Sequence, residues 1–189
     1  AGMGADIYES YVAAMVATMA LGLTMPVAVL QTLAPGVTEE SALRLLAVGL
    51  PIFLSTVGLG VSIVGIFITR ALKNMAPATV LRAALIVPPF LVMAAAAAVF
   101  PSIGVSMNAV YTLGAGALGG AIIGLVTDYY TSMKPVRDIA EASITGPGTA
   151  VISGLAVGLQ SVAIPVVILW LVGWAAASLF SLGLYGIAL

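Results

Sequence analysis

The stretch 147–180, PGTAVISGLAVGLQSVAIPVVILWLVGWAAASLF, runs for about 34 residues without an acidic or basic side chain. At 1.5 Å per residue a helix of that length reaches ~50 Å, against ~30 Å for the hydrocarbon core of a bilayer. The run predicts a transmembrane helix that tilts or projects from the membrane. Just after it, Ser181-Leu182-Gly183 reads as a tight turn, and residues 184–189 open another helix. Toward the N-terminus four further apolar segments stand at about residues 7–33, 45–72, 80–100 and 108–127. The first is closed by Pro35-Gly36, a strong stop signal. Each is long enough to span a bilayer as a helix. The expected fold is therefore all-α: a polytopic transmembrane helix bundle of about five full transmembrane helices plus the start of a sixth, with residues 1–189 as a single transmembrane domain.

Composition agrees. Hydrophobic residues make up 62% of the chain and charged residues 7%, against roughly 45–50% and about 25% in soluble domains; the mean hydropathy is +1.22. A net charge of -1 and the lack of a basic patch leave no footprint for nucleic acid. There is no Cys and no His, which removes disulfides, thiolate metal sites, imidazole zinc sites and His-based general catalysis. Ala1 is not an initiator, residues 1–5 lack the basic start of a signal peptide, and residues 185–189 end inside an apolar run. The chain reads as a piece of something longer.

Alternating the spans puts Arg70, Lys73, Arg82, Lys134 and Arg137 on one side and Arg44 on the other. The positive-inside rule makes the first side cytoplasmic, which places loops 73–82 and 128–146 in the cytoplasm and Glu39, Glu40 and Arg44 outside. Gly116, Gly120 and Gly124, and likewise Gly154 and Gly158, recur at four-residue spacing and predict close helix packing. Pro51 and Pro165 are expected to kink or end their helices, and Pro88-Pro89 to break the third span locally.

Chemistry has few places to live. Asp6 and Glu9 are carboxylates at the edge of an apolar helix, and positions i and i+3 share a face. Ser10 adds a hydroxyl beside them. Hard cations such as Na⁺ or Mg²⁺ bind through oxygens of this kind, and ionisable groups in membranes usually face a pathway. The competing reading has both acids decorating a helix N-terminus, where they suit the macrodipole. Spacing alone leaves the two level. The polar island 127–141, TDYYTSMKPVRDIAE, holds five of the thirteen charged side chains. Asp138 and Glu141 fall at i, i+3 on a short amphipathic helix after Pro135, with Lys134 and Arg137 nearby. A solvated, salt-bridged loop accounts for them better than a metal site formed with Asp128. Tyr129 and Tyr130 suit an interfacial aromatic belt. Thr145-Gly146-Pro147-Gly148-Thr149 has neither the spacing nor the Lys of a phosphate-binding loop.

Three stretches together resemble the membrane-integral, ion-pumping inorganic pyrophosphatases. Residues 1–11, AGMGADIYESY, look like the end of that family's cytoplasmic acidic loop entering its sixth helix. Residues 127–132, TDYYTS, are similar to its Thr-Glu-Tyr-Tyr-Thr-Ser motif, with Asp128 in place of Glu. Residues 135–140, PVRDIA, then Thr145-Gly146, residues 154–158, GLAVG, and Ser161 follow in the family's order. The resemblance covers essentially the whole chain. It implies helices six to ten, and the start of eleven, of a sixteen-helix subunit in a homodimer. It further implies hydrolysis of Mg²⁺-bound pyrophosphate at the cytoplasmic side, coupled to outward pumping of Na⁺ or H⁺ across a membrane, by the resemblance that of a prokaryotic cell. Asp6 matches the ion-gate aspartate. Glu9 matches the gate glutamate where Na⁺ transporters carry it, whereas many plant-type proton pumps carry theirs at the position of Ala13. Ser10 is implied as a supporting ligand. Mg²⁺ is the implied cofactor, with K⁺ and Na⁺ as further ions. The family's pyrophosphate-binding Asp and Lys residues and its gate lysine fall outside residues 1–189, so the stretch is expected to carry no catalytic residue and no resident metal, and to be inactive alone. Two other classes stand as alternatives: a secondary ion-coupled transporter, which needs an inverted repeat with broken helices, and a non-catalytic structural membrane subunit.

Overall fold

The computed structural model describes residues 2–72, 74–179 and 181–189. Among them every regular element is helical: α1 (Gly2–Thr24), α2 (Val27–Leu33), α3 (Glu40–Ala71), α4 (Pro77–Val99) with a 3₁₀ turn at Phe100–Ile103, α5 (Met107–Ser132), α6 (Lys134–Thr145), α7 (Pro147–Trp174) with a π-helical turn at Ala175–Leu179, and α8 (Gly183–Ala188). Five stretches are long and apolar enough to cross a membrane, one for each span read from the sequence. Ala1, Lys73 and Phe180, which entered that reading, lie outside the described residues.

The first span is not one helix. Pro26 has no N–H with which to continue the ladder. α1 therefore stops at Thr24, and the chain turns into α2, where the Pro26 carbonyl accepts from the Val29 and Leu30 amides. The third span corrects the opposite expectation, for α4 passes through Pro88-Pro89 without a break. Two missing N–H groups weaken the helix there. Unwinding it within a bilayer would leave still more backbone groups without partners, which costs more. Pro51 and Pro165 likewise stay inside α3 and α7. The two loops expected at 73–82 and 128–146 are mostly helix, since α4 starts at Pro77 and α6 fills 134–145.

By their packing the residues divide into two compact units, Ala1–Ala117 with Gly173–Leu189, and Leu118–Val172. In the first unit, α1 packs on α3 and α3 on α4. Its core gathers at the end that holds Glu40: Leu30 and Leu33 from α2, Leu43, Ala47 and Leu50 from α3, Phe100 after α4, Leu182 just before α8 and Tyr185 within it are all buried together. Phe100 stacks at an angle on Phe53, with ring centroids 6.3 Å apart. Polar bonds tie the same end. The Ser106 amide donates to Leu33 O at 2.7 Å, Thr32 Oγ1 to Ser181 O at 3.0 Å, Thr18 Oγ1 to Ala188 O at 2.7 Å and Tyr185 Oη to Ala47 O at 2.7 Å. The expected turn at 181–183 is present, with Ser181 and Gly183 at φ 57° and 54°.

In the second unit the end of α5, α6 and α7 follow one another, and Gly119 is the close contact: a Cβ there would sit 2.7 Å from Val172 Cγ2. Four of the glycines at four-residue spacing do not pack this way. Gly116, Gly120, Gly154 and Gly158 have nothing within 4 Å of where a Cβ would stand, whereas Gly22 meets Ala47 at 3.0 Å. Spacing marks a small-residue face, but a partner helix decides whether that face is used. Hydroxyls along the spans turn inward to their own helices: Thr24 to Ala20 O, Thr56 to Ile52 O, Ser62 to Gly58 O, Thr69 to Gly65 O and Thr127 to Ile123 O, at 2.8–3.0 Å.

Candidate functional site

The first turns of α1 carry Asp6, Glu9 and Ser10. Helical geometry sets Asp6 and Glu9 three apart and Asp6 and Ser10 four apart, so all three lie along one face. That face is exposed at all three residues and continues over Ala13, Val16, Ala17 and Ala20, which are exposed too. The opposite face carries the packing, with Thr18 and Gly22 buried against α8 and α3. The sequence candidates are thus brought together, on a helix face that no other described residue covers. Among the described residues neither carboxylate has an ion-pair partner, and no group of three or more acidic side chains converges to hold a metal. Two carboxylates and a hydroxyl on one helix can contribute oxygens to a cation but cannot enclose it, because Na⁺-sized and larger hard ions take more oxygens than these.

On the other side of α1 lies a feature that sequence reasoning missed. A cleft of about 600 Å³ opens between α1, α3 and α4, lined by Tyr8, Tyr11, Ser55, Ser62, Pro88 and Pro89 among others. Its serines are already bonded to Ile52 O and Gly58 O of their own helix. The tyrosines at 8 and 11 share a face of α1 different from that of the acids. The pairing of two Tyr at i, i+3 was the available signal, yet it reads equally as an aromatic belt.

The island resolves into the end of α5 and the exposed helix α6. Lys134, Arg137, Asp138 and Glu141 are all exposed, and among the described residues none of the four is ion-paired. The salt-bridged loop is thereby corrected to a solvated amphipathic helix: its charges reach water singly, where pairing gains little. Asp128 is half-buried on α5, apart from α6 in the chain, and Tyr129 and Tyr130 meet edge to face at 5.3 Å. Gly146 alone separates α6 from α7. Gly146 takes φ 147°, Thr149 Oγ1 donates to Ala142 O or Gly146 O, both at 2.8 Å, and it meets Thr145 Oγ1 at 2.6 Å. These hydroxyls join α6 to α7.

The family model for inorganic H+ pyrophosphatase matches residues 1–189. A provisionally named K(+)-stimulated pyrophosphate-energized sodium pump of Clostridium tetani is 33% identical across 100% of this chain and 27% of its own length. A K(+)-insensitive pyrophosphate-energized proton pump of Moorella thermoacetica is 35% identical across 88% of this chain and 24% of its own. A K(+)-insensitive pyrophosphate-energized proton pump of Methanosarcina mazei is 30% identical over 100% of the chain and 27% of its own. The chain spans about a quarter of the length of these relatives. Five apolar spans and this match together make it a multi-pass integral membrane protein.

Proposed function

The chain belongs to the inorganic H+ pyrophosphatase family, and from that premise we propose that it forms the ion-gate part of a pump that couples hydrolysis of Mg²⁺-pyrophosphate to outward transport of Na⁺ or H⁺. The observation that carries this is the shared, uncovered face of Asp6, Glu9 and Ser10 on α1. Carboxylates cannot be left in lipid, so this face is read as one that the rest of the pump covers, and a cation between its oxygens offsets the repulsion of two like charges.

The ion is read as Na⁺. A bare proton needs one carboxylate, whereas Na⁺ uses several hard oxygens, and Asp6, Glu9 and Ser10 supply a set of that kind. The relatives include both sodium and proton pumps. Arg70, Lys73, Arg82, Lys134 and Arg137 lie on one side and Arg44 on the other, which sets the Asp6 end in the cytoplasm. The residues present do not fit a resident Mg²⁺ site, since no three acidic groups converge among those described. Hydrolysis is accordingly assigned to other parts of the pump, and no chemical step is drawn through this chain. Assembly as a homodimer and a K⁺ requirement belong to the same proposal through the family.

The test is Glu9→Ala in the full-length pump reconstituted in liposomes, with pyrophosphate-driven ²²Na⁺ uptake and proton uptake measured in parallel. Uptake of the pumped ion is expected to fall at least ~10-fold, the loss of one charged ligand worth ~1.4 kcal/mol or more. Unchanged pumping of both ions would remove Glu9 from the gate. Uptake of protons alone by the unaltered pump would overturn the Na⁺ assignment.

A further inference from the structure

The helix that carries the acidic pair is also the one that ends early. Because Pro26 has no N–H, the Gly22 carbonyl loses its usual donor, and the last turn of α1 presents carbonyl oxygens at the negative end of the helix dipole. In broken transmembrane helices such ends coordinate small cations. Here a side chain is already in place. Arg44, in the second turn of α3, donates through Nη1 to Leu23 O and, at 3.4 Å, to Met25 O. Its Nε and Nη2 both reach Glu40 Oε1, at 2.9 and 2.7 Å, so Glu40 holds the guanidinium from behind. The close approach of Gly22 to Ala47 brings α3 near enough for this reach. The Arg44 side chain is 29% exposed.

We propose that Arg44 is a tethered cation that fills the carbonyl end of α1 and so closes to free cations the break in the helix that bears Asp6 and Glu9. The proposal rests on the reading of α1 as the ion-carrying helix. A guanidinium stays charged at every working pH, so it keeps its carbonyl partners and leaves a free cation neither those oxygens nor a net negative charge. Removing it uncovers the carbonyls and releases the Glu40 carboxylate beside them. A neutral ion-paired end then becomes an oxygen-rich, net negative one facing α1 from the far side.

The experiment is passive ²²Na⁺ efflux from liposomes holding the full-length pump, without pyrophosphate. Arg44→Gln is expected to raise efflux about 10-fold, the ratio that ~1.4 kcal/mol of lost charge-assisted bonding corresponds to. Arg44→Lys, which keeps the charge, is expected to stay within about two-fold of the unaltered pump. Efflux unchanged in Arg44→Gln, or Arg44→Lys leaking as much as Arg44→Gln, would overturn the proposal. If Arg44→Gln does not assemble, Arg44→His is reconstituted at pH 6 and shifted to pH 8, an interval over which imidazole loses its charge. Efflux that rises only in this variant supports the proposal, and efflux independent of pH refutes it. Pyrophosphate-driven uptake in the same vesicles reports separately on the pump reading, since its failure leaves the passive comparison intact.

Discussion

The two ends of the first unit are built on different terms. At the Glu40 end, α2, the start of α3, the 3₁₀ turn after α4 and the turn before α8 interlock around Phe100, Leu30 and Tyr185, and side chains bond to backbone across the elements. At the Asp6 end, Ile7, Tyr8, Leu59, Ile63, Phe67 and Leu81 are all exposed, and the helices run on without a shared core. Apolar side chains can remain so in lipid, but Asp6 and Glu9 cannot. One end is thus a finished anchor. The other, in the reading proposed above, awaits the remainder of the pump, and in that reading α1 joins a fixed foot to the ion-binding tip.

The sharpest way to break that contrast is to cut equal side chains from both ends. Phe100→Ala removes a ring that is 0% exposed and is expected to cost ~3–5 kcal/mol. Phe67→Ala, at 62% exposure, is expected to stay within about 0.5 kcal/mol. Thermal unfolding in detergent reads both, and equal shifts would dissolve the distinction. Adding bulk gives a smaller version of the test. Gly22→Leu drives a side chain against Ala47, whose backbone C and O would lie 3.1 and 3.2 Å from the new Cβ, and is expected to cost about 1–3 kcal/mol. Gly60→Leu meets nothing within 4 Å and is expected to be neutral or stabilised by up to about 1 kcal/mol. The finest probe is Tyr185→Phe, which deletes only the hydroxyl on Ala47 O. A loss of about 1 kcal/mol is expected, and no loss would mean that packing alone holds the anchor.

The spans were legible because a bilayer demands long apolar helices whatever their neighbours do. Local breaks were not, since proline supplies no rule by itself. Pro26 ends a helix where Arg44 serves the neighbouring carbonyls of Leu23 and Met25, whereas Pro88-Pro89 stays helical in the middle of a span. The glycine stripes make a related point: spacing defines a face, whereas the close approaches fall at Gly22, Gly114, Gly119 and Gly186, outside the stripes. For the candidate site, the common face of Asp6, Glu9 and Ser10 follows from helical spacing, while the fact that nothing in this stretch covers it depends on where the other helices lie. The role of Arg44 was illegible because it depends on a contact between α3 and the end of α1, 21 residues earlier in the chain.

The hydroxyls that bond to carbonyls of their own helices alter what the membrane meets. Thr24, Thr56, Ser62, Thr69 and Thr127 count as polar in any hydropathy sum, yet their donors are already satisfied within the helix. To the surrounding acyl chains they offer methyl and methylene groups. The spans are therefore oilier than their composition states, and serine or threonine can recur along them without opening a wet track through the bilayer.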